Sequence, residues 1–270
     1  MNRFPNPSLD RRQLLRNGGL VLSMGAIVAA CGPERGGSTD PGRLGVADAP
    51  TELPEAVVDD IVLLRTAQSL EYTALAVYAA AGATNALSAD ETVLTQRFVE
   101  DHQRHAALFG SLVADLGGVS FDCANPFLMD RAVTPTLAAL VGTDDLHRDL
   151  LNIAHAFESL AAASFQALVP SLADLSLRTE MTRIGGEENR HAAALAAAIN
   201  PDVIFSPAMF GEPVEKDEDG FPVPYAIPGV FGRLTGIELV VGARDDEGAR
   251  FSTQLQTPAP NTYVYEYQSC

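Results

Sequence analysis

Two stretches of this chain follow one pattern, and that repeat limits what the chain can fold into. Glu71 precedes His102 and His105 by 31 and 34 residues, and Glu158 precedes Glu188 and His191 by 30 and 33. Both second elements carry Arg-His-Ala-Ala, at Arg104–Ala107 and Arg190–Ala193. The first elements match as well: Leu64 and Leu151 lie seven residues before their Glu, and Tyr78 and Phe165 seven after. The spacing is that of a duplicated helix pair. One Glu on the first helix faces a doublet at i, i+3 on the second, and residues three apart share a helix face. Two such pairs packed together give a four-helix bundle with a ring of carboxylates and imidazoles at its centre.

The periodicity predicts four long helices. The first runs from about Glu55 to Gly82, with Pro54 near its first position. The second runs from about Ala89 to Leu116, opened by a Ser88/Glu91 capping box and stopped by Gly117-Gly118. The third runs from about Asp144 to Val169 with Thr143 as N-cap, and the fourth from about Leu172 to Ile199 with Ser171 as N-cap. Gly185-Gly186 lies inside the fourth, where it weakens the helix or lets a neighbouring backbone approach. Short turns join helices 1 and 2, and helices 3 and 4. The longer link from Gly118 to Gly142 implies a crossover along the bundle. Residues 54–200 thus form a mainly α domain. Residues 201–270 read as a small β-rich extension, with strands expected at Ile237–Val241, Phe251–Gln256 and Thr262–Tyr267.

The N-terminus reads as an address. Arg11 and Arg12 sit in a stretch, Asp10 to Arg16, that looks like a twin-arginine export motif, and an apolar run from Gly18 to Ala30 follows. The run ends at Cys31-Gly32, which resembles a lipobox whose Cys is lipidated. Residues 1–31 are therefore expected to be a signal peptide, and residues 32–53, rich in Gly, Pro, Asp and Thr, a flexible tether. The expected location is the outer face of the cytoplasmic membrane, held by the lipid. The leader takes four arginines and one aspartate from totals of 18 basic and 35 acidic residues, leaving 14 and 34, a net of −20. Such a charge is repelled by phosphate backbones and argues against a nucleic-acid partner. No protein partner is identifiable. With Cys31 set aside, Cys123 and Cys270 remain, and in an oxidising compartment they are expected either to pair or to stand as two distant thiols.

A carboxylate and an imidazole three residues apart can hold one metal ion together, and a Glu from a neighbouring helix can bridge to a second. Glu188-x-x-His191 has this form, with Glu158 and Glu71 as partners and His105 as the second imidazole. Here the chain resembles the ferritin-like superfamily, specifically its exported bacterial members, over residues 55–200. The resemblance implies a paired iron or manganese site that reacts with dioxygen or peroxide, or handles iron. One position departs from the pattern, because His102 stands where the superfamily places a Glu. The resulting set is three carboxylates (Glu71, Glu158, Glu188) and three imidazoles (His102, His105, His191). It loses a negative charge and a bridging ligand, and it shifts the expectation toward zinc or copper as alternatives. Glu100 and Asp101 sit about 200° and 100° around the helix from His102, so neither is expected to replace that ligand.

A core without metal is also consistent with these residues. The buried carboxylates could pair with His or with Arg104 and Arg190, and His155, one turn before Glu158, could be an outer partner or a polar core residue. Two function classes follow. One is a metal-dependent redox or metal-handling protein. The other is a non-catalytic envelope protein that displays loops, among them the acidic stretch from Glu212 to Asp219, on a degenerate bundle.

Overall fold

The computed structural model describes residues 57–207, 215–229, 236–255 and 261–270. The twin-arginine pair Arg11 and Arg12, the lipobox Cys31 and the tether 32–53 lie outside the described residues. Helix α1 spans Asp60–Ala83 and α2 spans Ala89–Asp115. The connection beyond α2 holds a short α3, Pro126–Leu128, a π-turn at Met129–Val133 and α4, Thr134–Ala139. Helix α5 spans Leu146–Leu168, and α6 spans Leu175–Ile199 after a 3-10 turn at Val169–Ser171. Strands β1, Ile237–Val241, and β2, Phe251–Leu255, pair antiparallel, with Ile237 opposite Leu255 and Val241 opposite Phe251. The result is a mostly helical bundle with a small two-stranded sheet. Among the described residues no helix is long and apolar enough to cross a membrane.

Helices α1, α2, α5 and α6 are the four long helices expected from the repeat. α1 packs along α2, and α5 along α6; α1 and α5 meet across the bundle, while α2 and α6 touch sparingly. One core runs through Leu63, Leu64, Phe109, Phe165, Met181 and Ile184. It continues into the crossover at Leu128 and Val133 and into the sheet at Leu239, Val241 and Leu255, so the extension shares the bundle's core. Gly185 is where α5 and α6 come close: a Cβ there would lie 3.3 Å from that of Phe165. Gly117, at φ 82°, ends α2 in the left-handed conformation that glycine adopts without strain.

Three helix starts differ from expectation, and aspartate is the reason. Asp59 caps α1 by accepting from the Val62 N–H at 3.0 Å, Asp145 caps α5 by accepting from Arg148 at 2.9 Å, and Asp174 caps α6 by accepting from Ser176 at 2.6 Å. Asp145 and Asp174 displace the upstream candidates Thr143 and Ser171, while Pro54 lies outside the described residues. The capping box of α2 is present as expected, with the Ser88 N–H donating to Glu91 at 2.8 Å.

The third strand expected at Thr262–Tyr267 is absent; the segment runs as turns and coil over α1. Its backbone groups are satisfied by side chains instead of a ladder. The Val264 N–H donates to Thr66 at 2.9 Å, Asn125 donates to the Thr262 carbonyl at 3.0 Å, and the buried Arg65 donates to the carbonyls of Tyr265 and Gln268 at 3.3 and 2.5 Å. A disulfide between Cys123 and Cys270, with Cα atoms 5.8 Å apart, fixes this segment beside the start of the crossover.

Candidate metal centre

The six residues singled out by the repeat converge in the bundle interior: Glu71 from α1, His102 and His105 from α2, Glu158 from α5, and Glu188 and His191 from α6. All six are buried. Two groups of four emerge, Glu71/His102/His105/Glu188 and His102/Glu158/Glu188/His191, with candidate ligand atoms within 4.8 Å of one another in each. His102 and Glu188 belong to both.

His102 Nδ1 lies 2.7 Å from Glu71 Oε2, and its Nε2 lies 3.0 Å from Glu158 Oε1. His191 Nδ1 lies 3.3 Å from both Glu158 Oε2 and Glu188 Oε2. On the other side, His105 Nδ1 approaches Glu188 Oε1 at 2.9 Å and Glu71 Oε1 at 3.5 Å. These last three atoms make no aligned hydrogen bond, although each is buried. Unmatched polar atoms in an interior are costly. Three of them pointing at one another fit a site whose shared partner is a cation. The donor set of carboxylate oxygens and imidazole nitrogens suits first-row transition metals.

Electrostatics agree with tight coupling of opposite charges. Burial pushes His105 and His191 down, but the surrounding carboxylates outweigh it and hold them up, at about 10 and about 9. His102 is raised well above its usual value in the same way, against burial, by Glu158 and Glu188. Burial raises Glu158, yet His102 and His191 bring it well below the usual carboxylate range. Glu188 stays raised by burial and by the Glu71 charge. Held up in this way, the histidines keep their protons at neutral pH when no cation is present. A metal must then displace protons to enter.

Around this centre lies a second layer that the sequence reading did not identify. His105 Nε2 lies 2.8 Å from Glu187 Oε2, and His191 Nε2 lies 3.2 Å from Asp101 Oδ2. Asp101, as expected, does not replace the ligand beside His102; it is buried and meets a histidine of the opposing helix instead. Each of these carboxylates is flanked by two arginines at matched offsets. Arg97 lies 3.1 Å from Asp101, which Arg104 also contacts; Arg183 and Arg190 lie 2.7 and 3.9 Å from Glu187. The repeat is therefore longer than the tetrad: Arg-x-x-x-acid-ligand-x-Arg-His, at Arg97–His105 and Arg183–His191. That offset was visible in the sequence once the residue before each first ligand was compared.

Other expectations are settled by position. Arg104 and Arg190 have half or more of their side chains exposed, at 54% and 74%, and reach Asp101 and Glu187 rather than the three buried glutamates. Tyr78, matched to Phe165 by the repeat, donates its hydroxyl to Glu158. Burial, opposed by the Glu158 charge, pulls His155 down to about 4, so it is neutral near pH 7 even though its ring keeps some surface. In the described part of the acidic stretch, Asp217 and Asp219 pair with Arg148 and Arg244 at 3.1 and 3.0 Å. The family described as "Ferritin-like domain" matches residues 59–201. No curated protein and no solved structure matches the chain.

Proposed function

The chain belongs to the ferritin-like domain family, and on that premise we propose that its bundle core holds a pair of transition-metal ions for redox chemistry or metal handling. The observation that carries this reading is the convergence of six buried ligand side chains, three of whose atoms face one another without aligned hydrogen bonds. Glu71, His105 and Glu188 would hold one ion, and Glu158, His191 and Glu188 the other, with His102 between them. An iron, manganese or copper pair held there would supply electrons to a small oxidant such as dioxygen or peroxide, whereas zinc, which has no redox chemistry, would act only as a Lewis acid. Iron or manganese fits the family, and zinc or copper fits the imidazole content.

The protein's own residues do the positioning. Glu187 and Asp101 accept from the outer nitrogens of His105 and His191, which keeps each Nδ1 turned inward. Tyr78 holds one oxygen of Glu158 and leaves the other toward His191. The Phe98 ring, centred 4.1 Å from that of His191, covers the centre on the α2–α6 side with an apolar group.

The leader supports export and attachment to the outer face of the cytoplasmic membrane through a lipid on Cys31. Cys31→Ala should move the protein to the soluble fraction, and continued attachment would count against the anchor. The metal reading is tested by elemental mass spectrometry on natively exported protein purified without chelator. About two ions per chain are expected, as in other paired-metal bundles, and near zero in the Glu158→Ala/His191→Ala double variant. Unchanged metal content in that folded variant overturns the reading. A wild-type chain that holds no metal and takes none up would favour a non-catalytic envelope role.

A further inference from the structure

We propose that His102 is a bridging ligand, its Nδ1 serving one metal position and its Nε2 the other. This rests on the metal-site reading above and adds to it a bridge and a metal class. The three histidines are not alike. His105 and His191 each turn one nitrogen inward and give the other to an outer carboxylate, at 2.8 and 3.2 Å. That is the usual arrangement of a terminal ligand, whose second nitrogen is fixed from behind. Among the described residues His102 has no such outer partner. Its two nitrogens face Glu71 at 2.7 Å and Glu158 at 3.0 Å, one ligand carboxylate from each half of the duplicated bundle. Glu71 belongs to one four-residue group and Glu158 to the other, and His102 is shared by both.

Charge supports the same assignment. The expected Glu at this position would bring a fourth negative charge and a second bridge. A neutral, one-sided histidine supplies neither. An imidazole that loses both ring protons to solvent as two divalent ions bind becomes an imidazolate: it carries one negative charge and offers a lone pair on each side. Three carboxylates and one imidazolate then balance two divalent ions. The ions that imidazole favours among the first-row metals, copper above all and zinc beside it, are the matching class. A rigid aromatic ring also holds the ions farther apart than a single oxygen or a carboxylate does.

The test uses the full chain, freed of metal and titrated with copper(II). Two ions per chain are expected, with an electron paramagnetic resonance signal well below the spin count for two independent coppers, because the bridge couples them. X-ray absorption of the same wild-type sample should show no metal–metal scattering at the about 3.5–4 Å typical of paired sites. His102→Gln, with Glu188 intact, should restore the full signal per bound copper. A wild-type sample with two uncoupled coppers, with one copper, or with a short metal–metal distance overturns the bridge but leaves the metal site standing. Coupling that survives in His102→Gln assigns the bridge to Glu188 and likewise overturns it. No copper bound by the wild type overturns this inference, and the metal reading is then decided by the elemental analysis of the natively exported protein. If His102→Gln fails to fold, the wild-type distance decides alone.

Discussion

Side chains one step outside the centre decide how its ligands point. Glu187 touches no candidate metal position, yet it holds His105 from behind at 2.8 Å while Arg183 holds it in turn at 2.7 Å. Glu187→Gln is expected to weaken metal binding by about 10- to 100-fold with the fold unchanged. Competition against a chelator of known affinity measures this. Glu180→Gln, which alters only an exposed partner of the same arginine, should leave affinity near the wild-type value. At this scale the sequence was legible where chemistry repeats: six buried residues fall into three pairs at matching spacing, two of them of the same type and the third setting His102 against Glu188. Asp101 does not replace the ligand at His102, as its place around the helix implied, but a helical wheel describes one helix, and the histidine it serves lies on another. The role of Tyr78 was not legible, because an aromatic body gives no sign in sequence of what its hydroxyl will meet.

Among the elements, α5 and α6 show how a weak helix sequence can mark a close contact. Gly185 and Gly186 are adjacent, but only the first faces a neighbour: a Cβ at Gly185 would meet Phe165 at 3.3 Å, whereas one at Gly186 meets nothing within 4 Å. Gly186→Ala should therefore stabilise the protein by about 0.5–1 kcal/mol through helix propensity alone. Gly185→Leu should destabilise it by about 1–3 kcal/mol by pushing α6 from α5. Denaturant midpoints of the two variants would separate these effects. The four long helices were readable because apolar periodicity and Gly or Pro stops agree over many residues. Their first residues were less so: Asp, Ser and Thr all make good caps, and local sequence does not rank neighbouring candidates such as Thr143 and Asp145. The tail misled for another reason. Alternating Tyr263-Val264-Tyr265 suits a strand, but Thr66, Asn125 and Arg65 offer its backbone partners that a local pattern cannot reveal.

Across the whole molecule, the tail is fastened to the bundle by the Cys123–Cys270 bond, 147 residues apart in sequence. Closing so long a loop restricts the unfolded chain strongly, by about 5 kcal/mol on the chain-entropy estimate. Thermal unfolding should therefore shift to lower temperature on adding reductant, and Cys123→Ser should melt low with no further response to reductant. The other long-range feature is the crossed bonding of α2 and α6, in which each helix supplies the carboxylate that holds the other's histidine. Two separate copies of one helical hairpin, related by a twofold axis, would make each such bond twice, since whatever one copy offers the other must receive. A self-complementary unit of that kind has no finished centre until it meets its twin, and any substitution in it is felt on both sides at once. Joining the twins in a single polypeptide lifts that symmetry, so that one half can keep Glu187-Glu188 while the other carries Asp101-His102, and asymmetry becomes heritable.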